Sequence, residues 1–143
     1  MTDTDLIRAA ADAAHRAYCP YSAFPVGAAL LTRDGRVFTG VNVENASYGL
    51  TLCAERNAVA TAVAAGAVEF EAIAIAADGA GAQAVSPCGA CRQVLAEFAA
   101  PDLRIITASI HPVETTGTYL LKDLLPFAFS STTLASTTKE TNG

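Results

Sequence analysis

Three cysteines in two short motifs are the residues of this sequence best suited to hold a metal ion. The first motif is Cys53-Ala54-Glu55-Arg56, and the second is Pro87-Cys88-Gly89-Ala90-Cys91-Arg92. Cys88 and Cys91 lie three apart at a predicted helix start, so they share a face and can grip one ion. Three thiolates leave the fourth position of a tetrahedral zinc open, which is typical of a catalytic site. The pattern therefore favours hydrolysis by water activated at zinc.

The charged residues beside the thiols have predicted roles in that chemistry. Glu55 can move protons to and from the water if Cys53 occupies the cap or first turn of its helix, because residues two apart in an established helix do not share a face. Three thiolates on a divalent ion leave a net negative charge, which weakens its ability to acidify water. We therefore expect Arg56, and more weakly Arg92, to donate hydrogen bonds to the sulfurs.

Two other interpretations of the cysteines compete with the open zinc site. A Pro-Cys-x-x-Cys segment is also typical of a redox pair or of half a structural zinc ribbon. The redox interpretation leaves Cys53 and Glu55 unexplained. The structural one lacks a fourth ligand, since His15 and His111 have no ligand-like spacing. The open site is favoured over both, and Cys19, outside the motifs, is predicted to be a small core residue.

Composition limits the class of protein. The 143 residues predict one domain. Hydrophobic residues make up 52% and charged residues 16%, so a lone monomer lacks polar residues for its exterior, which predicts an oligomer. A net charge of -5 with nine scattered Lys and Arg gives no basic stripe, so we expect no nucleic-acid partner. The segment 1–18 has no uninterrupted apolar run, so we expect neither a signal peptide nor a membrane span, and a cytoplasmic protein.

The elements that must position these residues follow from hydrophobic periodicity. They predict an α/β layered fold, with a mixed β-sheet of about five strands and helices on both faces. Asp34-Gly35 predicts a type I′ hairpin turn, and Ser86-Pro87 predicts the N-cap and first residue of the helix carrying the second motif. The segment 1–129 is predicted to be a single domain and the Ser/Thr-rich segment 130–143 a disordered tail. Helices are predicted from Thr2 to before Pro20 and over 52–65, 88–98 and 119–125, strands over 26–32, 36–43, 71–77 and 103–109, and a loop over 78–84.

Beyond the cysteine motifs, three longer segments resemble the cytidine deaminase family, in particular its short homotetrameric branch with three cysteine ligands. The resemblance runs from Ala17 to Phe129. It implies the family's layered fold and a zinc-dependent hydrolytic deamination of cytidine and 2′-deoxycytidine to uridine and 2′-deoxyuridine, with release of ammonia, in pyrimidine salvage. The three segments are Tyr21-Ser22-Ala23-Phe24-Pro25-Val26-Gly27-Ala28-Ala29, Asn42-Val43-Glu44-Asn45-Ala46-Ser47-Tyr48-Gly49 and Leu124-Leu125-Pro126-Phe127-Ala128-Phe129.

The resemblance also implies the metal site and the assembly. It implies one zinc ion per chain, with Glu55 as the proton shuttle and Arg56 compensating the charge of the sulfurs. It implies a homotetramer in which neighbouring subunits complete each site, and a small-molecule nucleoside as the substrate. The implied zinc ligands are Cys53, Cys88 and Cys91.

The substrate pocket is implied in the same way. Asn42 and Glu44 would hold ribose hydroxyls, because an amide and a carboxylate at one strand end can pair with a hydroxyl as donor and acceptor. Phe24 would lie against the pyrimidine, and Phe129 would cover it from a neighbouring subunit. Tyr48 would lie near the ribose across a subunit boundary, and the Ala54 backbone would lie near the base carbonyl. The six residues implied for substrate binding are Phe24, Asn42, Glu44, Tyr48, Ala54 and Phe129.

Two alternative functions stay open at this point. A deaminase of an aminoacyl-nucleoside antibiotic such as blasticidin S shares the zinc motifs, although Asn42 with Glu44 and the closing Phe129 favour a plain nucleoside. A non-catalytic zinc-binding module would hold the metal without turnover, and Glu55 beside the metal argues against it. Ammonia release from cytidine separates the enzyme from the module.

Overall fold

The structure, a computed structural model that describes residues 1–78 and 85–134, is built around one five-stranded sheet. A short 3-10 turn at Tyr48–Leu50 precedes the second helix. In chain order the elements are α1 (Asp3–Ala14), β1 (Val26–Thr32), β2 (Val37–Val41), α2 (Ala54–Ala64), β3 (Phe70–Ala77), α3 (Gly89–Phe98), β4 (Ala99–Ile110), β5 (Val113–Leu120) and α4 (Leu121–Leu124).

The strands lie in the order β2-β1-β3-β4-β5. Strands β3 and β4 are parallel, and the other three neighbouring pairs are antiparallel. Helix α3 lies between β3 and β4 in the chain, because parallel neighbours need a crossover connection. The predicted α/β fold with a mixed sheet of about five strands is confirmed.

Helix α1 covers one face of the sheet. A capping box between Thr2 and Asp5 closes its first turn, since each side chain bonds the other's backbone N–H. Leu6, Ala10 and Ala14 recur at helical spacing and are buried in one cluster with side chains of β1, β3 and β4, in which every β3 member is an alanine. The alanines of β3 on this face allow the helix to lie close to the sheet.

Helices α2, α3 and α4 cover the opposite face, so the predicted helices on both faces are confirmed. Their core includes Ile73, Ile75 and Leu95, each with at most 1% of its surface exposed. Helix α2 packs very closely on β2, because a Cβ on Gly40 would lie only 2.3 Å from the Ala58 backbone nitrogen. This contact sets how α2 lies on the sheet, and α2 begins at the first cysteine motif.

Several local predictions need correction. The hairpin turn is not type I′, because Gly35 has a φ of 87° while Asp34 lacks the positive φ that type I′ requires. The Gly35 N–H donates to the Thr32 carbonyl and the Thr32 N–H to the Arg36 carbonyl, so the loop has three residues with glycine in the left-handed position.

The start of α3 differs from the prediction, because Cys88 rather than Ser86 is its N-cap. Cys53 is the N-cap of α2, one of the two positions, cap or first turn, expected for it. The predicted first helix ends early, at Ala14. Strand β5, at 113–120, takes the first two residues of the segment predicted as a helix over 119–125, and residues 121–124 of that segment form α4.

The predicted division into domain and tail stays a prediction. Residues 131–134 form one helical turn, with the Leu134 N–H bonded to the Ser130 carbonyl. The rest of the predicted tail, 135–143, and most of the predicted loop, 79–84, lie outside the described residues. In the described part of the chain, each helix is too short or too polar to cross a membrane.

Candidate active site

The three motif cysteines meet where α2 and α3 begin. Their sulfur atoms all lie within 4.8 Å of one another, and the Cys88 and Cys91 sulfurs are 3.4 Å apart. Sulfurs bound at about 2.3 Å to a tetrahedral zinc ion lie about 3.8 Å apart, so the cluster matches that donor set. Because Cys53 and Cys88 are both helix N-caps, two positive helix ends point at the cluster. The residues therefore fit zinc.

Glu55 lies in the first turn of α2, two residues after the cap. Since Cys53 is the N-cap, the condition that placed Glu55 beside the metal is met. The side chain is buried, with 6% of its surface exposed, and burial raises the pKa of its carboxyl group. A buried carboxyl group that favours the protonated form is suited to pick up and return a proton near neutral pH.

The surroundings of Cys53 and Cys91 shift the pKa values of the two thiols in opposite directions. The pKa of Cys53 is lowered to about 5, because the Cys91 thiol donates a hydrogen bond to it and the Arg56 guanidinium lies beside it. The pKa of Cys91 is raised, because its proton is held in that bond and because it is buried. These surroundings therefore favour the thiolate form of Cys53, the form in which sulfur binds zinc.

The two arginines beside the motifs have different partners. An Arg56 terminal nitrogen donates to the Thr51 carbonyl at 3.1 Å and lies 3.8 Å from the Cys53 sulfur. Its Nε is buried with no hydrogen-bond partner among the described residues. Arg92 instead donates to the carbonyls of Pro87 and Leu124, both at 2.7 Å. Arg56 is thus placed to offset thiolate charge, and Arg92 anchors the turn before α3.

A cavity of about 400 Å³ opens beside the thiols. It contains four of the six predicted substrate-binding residues, namely Phe24, Asn42, Glu44 and Ala54, together with Glu55. A cavity of about 510 Å³ lies elsewhere, lined by Val68 and by residues from 96–101 and 121–132, and no described residue in its lining is a cysteine. Chemistry rather than size therefore locates the candidate site. The other lining residues of the smaller cavity are Ser22, Val26, Thr51, Cys53, Val85, Ser86 and Cys88.

The predicted sugar-binding pair is held rigidly. The Asn42 amide accepts from the Val26 N–H and donates to the Phe24 carbonyl, both at 2.9 Å. The Glu44 carboxylate accepts from the backbone N–H groups of Tyr21 and Ser22, both at 3.0 Å. One N–H and one lone pair of Asn42 stay available for a ligand. Asn42 and Glu44 therefore form part of the cavity wall and can bind a ligand in the cavity.

Tyr48 and Phe129 do not line this cavity. Tyr48 is 74% exposed and lines a neighbouring cavity of about 310 Å³, against the edge of the Tyr21 ring. Phe129 is 59% exposed, and its carbonyl accepts from Gln93. Their predicted roles at a neighbour's site stay predictions.

The sequence assigned no role to Ser22, although it lies in the first matched segment. The structure places it in both cavities and in contact with Glu44. The only signal in the sequence was the position of this serine two residues before Phe24. Its partner Glu44 lies 22 positions away in the chain, so the sequence pattern did not reveal the contact.

The fold and the site together define a class. Zinc-dependent hydrolytic deaminases have such a site, with thiols that bind zinc and a nearby glutamate that is not a zinc ligand. A sequence model of the family described as "Cytidine and deoxycytidylate deaminase zinc-binding region" matches residues 1–107. The chain belongs to this cytidine and deoxycytidylate deaminase family.

Individual relatives agree over most of the chain. Over 131 residues it is 46% identical to the cytidine deaminase of Sporosarcina psychrophila, which covers 91% of this chain and 93% of that one. Over 128 residues it is 49% identical to the cytidine deaminase of Mycobacterium tuberculosis, which covers 89% and 90%. The crystal structure of cytidine deaminase from Burkholderia pseudomallei matches with a TM-score of 0.81 at 49% identity, over 90% of this chain and 100% of that chain.

Proposed function

We propose that this protein deaminates cytidine and 2′-deoxycytidine hydrolytically, giving uridine or 2′-deoxyuridine and ammonia, in pyrimidine salvage in the cytoplasm. The observation that carries the proposal is the single cavity that joins the thiols and Glu55 to the rigid pair Asn42 and Glu44. One end of the cavity suits an amino-pyrimidine and the other suits sugar hydroxyls. Relatives named cytidine deaminase favour this function over the antibiotic deaminase and the non-catalytic module.

Different residues of the site have different roles in the proposed reaction. Cys53, Cys88 and Cys91 would hold one zinc ion per chain, which when bound would supply the Lewis-acid chemistry that makes water nucleophilic near neutral pH. Glu55 takes a proton from the water that attacks carbon four of the base, then gives protons to the ring nitrogen and to the departing amine. Water is consumed and ammonia leaves, which balances the conversion of cytidine to uridine.

The walls of the cavity hold the nucleoside for that reaction. Phe24 lies against the pyrimidine, and the Ala54 backbone faces the base carbonyl. Asn42 and Glu44 bind sugar hydroxyls, which fixes carbon four near Glu55. Arg56 offsets the charge of the three sulfurs.

The charge of the lining favours a nucleoside over a nucleotide. Among the described residues that line this cavity and the one beside Tyr48, none is Lys or Arg, whereas Glu44 and Glu55 are acidic. A phosphate group there would meet like charge with no cation to pair with it. We therefore expect cytidine to be a far better substrate than cytidine 5′-monophosphate.

The function is tested by incubating the zinc-loaded protein with cytidine and following the loss of cytosine absorbance together with ammonia release. Cytidine 5′-monophosphate and blasticidin S are the parallel substrates. Cys88→Ala is the control, because it removes one of three ligands and should lose both zinc and turnover. Faster turnover of either parallel substrate, or turnover by zinc-free Cys88→Ala protein, would contradict the proposal.

We also propose a homotetramer with composite sites. Large apolar side chains lie exposed on the single chain, among them Tyr48, Leu50, Phe127 and Phe129. Burial between subunits removes this surface from water. In such an assembly Phe129 covers the base in a neighbour's cavity and Tyr48 approaches a neighbour's ribose.

Mixed assemblies isolate the contribution of Phe129. Subunits carrying Phe129→Ala keep Glu55, and subunits carrying Glu55→Gln keep Phe129. Co-assembly should create sites that combine an intact Glu55 with a neighbour's intact Phe129, so tight binding returns in a fraction of active sites. If active sites in the mixture bind as weakly as the Phe129→Ala parent, Phe129 acts within its own subunit. A fully active monomer would remove the tetramer.

A further inference from the structure

The carboxylate of Glu44 is held by one turn of the chain. Its Oε1 accepts from the backbone N–H groups of Tyr21 and Ser22, and its Oε2 accepts from the Ser22 hydroxyl at 2.5 Å. The Ser22 hydroxyl bond also lowers the pKa of Glu44, since it favours the ionised form. All three bonds come from two adjacent residues, so the position of this turn sets the position of the carboxylate.

Counting acceptor sites shows what is left for a ligand. A carboxylate offers about four lone-pair sites, two on each oxygen. Both sites of Oε1 and one site of Oε2 are used by the turn. Glu44 can therefore accept one more hydrogen bond, at Oε2, and Ser22 decides in which direction that site faces.

Ser22 also connects the sugar-binding residue to the base-binding residue. Its hydroxyl oxygen accepts from the Phe24 N–H at 3.1 Å while its proton is donated to Glu44. Ala23, between them, has a φ of 54°, a left-handed conformation that costs a non-glycine residue about 1–2 kcal/mol. A strained backbone held by a side-chain bond beside a cavity is a sign of a positioned site.

We propose that Ser22 is a positioning residue that orients Glu44 so that its single free acceptor site, on Oε2, binds one sugar hydroxyl of the nucleoside. The proposal rests on the proposed nucleoside deamination. Ser22 acts through Glu44, and it lines both the main cavity and the one beside Tyr48. Removing its hydroxyl would let the carboxylate turn toward water and lose the hydroxyl of the sugar.

We take the hydroxyl that Glu44 binds to be the 2′ or the 3′ one, so the test compares cytidine with 2′,3′-dideoxycytidine, which lacks both and keeps only the 5′-hydroxyl. Ser22→Ala should raise KM for cytidine about fivefold to tenfold, as expected for one lost hydrogen bond, with kcat changed less than about twofold. KM for the dideoxynucleoside should change less than about twofold. Ser22→Thr keeps the hydroxyl and should behave as wild type. Ser47→Ala is the matched control, because the Ser47 hydroxyl caps no helix.

A Glu44→Gln background tests whether Ser22 acts through the carboxylate. There Ser22→Ala should add nothing to KM for cytidine, since the coupled partner is already gone. An equal rise of KM for both nucleosides, an additive effect in the Glu44→Gln background, or failure of Ser22→Thr to rescue would each overturn the positioning role. Failure of the wild type to turn over either nucleoside would instead overturn the proposed function, and the positioning role with it.

Discussion

Gly40→Ala should displace active-site residues although Gly40 does not line the active-site cavity. The new Cβ would lie 2.3 Å from the Ala58 nitrogen and 2.4 Å from the Ala54 carbonyl oxygen, both backbone atoms of α2. Ordinary contact begins at 3.4 Å, so α2 must move off the sheet by about 1 Å. Overpacking of this kind costs about 1–3 kcal/mol, offset by about 0.4–1 kcal/mol from the stiffer unfolded chain. The net expected loss in the free energy of unfolding is about 1–2 kcal/mol.

The same displacement should reduce catalysis. Helix α2 carries Cys53 and Glu55 at its start, whereas Cys88 and Cys91 begin α3, so moving one helix separates the two halves of the site. A misplacement of about 1 Å can cost about 10²-fold in rate. We expect kcat per bound zinc to fall by about that factor.

Two glycines provide matched controls in urea unfolding, zinc analysis and steady-state kinetics. A Cβ on Gly27 would lie 1.9 Å from the Ala10 carbonyl oxygen, so Gly27→Ala displaces α1 on the opposite face. It should lose stability but keep kcat per zinc within a few-fold. A Cβ on Gly49 meets nothing within 4 Å, so Gly49→Ala should be neutral in both measurements. Wild-type kcat in Gly40→Ala, or equal losses of kcat in Gly40→Ala and Gly27→Ala, would refute the reasoning.

Three further predictions concern the site itself. Glu55→Gln should keep zinc and fold while losing about 10²–10⁴ in turnover, and near-normal turnover would show that another group moves the proton. Arg56→Gln should weaken zinc retention against a chelator about 10–100-fold, whereas unchanged retention would make Arg56 a structural residue only. The ratio of KM for 2′,3′-dideoxycytidine to KM for cytidine should stay constant from about pH 8 to about pH 5, because the Ser22 hydroxyl bond holds the pKa of Glu44 below its ordinary 4.5. If this KM ratio decreased as the pH rose above about 6, Glu44 would not bind the sugar as a carboxylate.

The candidate metal cluster could be predicted from sequence because it depends on local geometry. Spacing of three residues puts Cys88 and Cys91 on one side of a helix start, and the short distance from Cys53 to Glu55 requires a cap position. The structure shows both features. Strand β1 was predicted with its observed bounds, because a continuous apolar run beside a hairpin signal identifies a buried strand.

Strand β5 was missed because it is the edge of the sheet. Its residues, Val113–Leu120, are exposed or half-buried and include three threonines and a glycine, so no apolar alternation marks it. Pairing with β4 stabilises it, and that contact is invisible in the local pattern. The turn at Asp34-Gly35 was predicted as the wrong type because the two-residue signal does not report loop length, which the pairing of the strands sets.

The sequence by itself determined which residues can bind metal and move protons, because those properties belong to residue types at short spacing. The tertiary structure decided how the substrate side of the cavity is held. The Ser22 hydroxyl reaches Glu44 only because the turn after α1 folds back against the end of β2, across 22 positions of the chain. Arg56 rather than Arg92 reaches a sulfur for the same reason: the partners of a side chain depend on the packing of whole elements, and a linear pattern does not contain that packing.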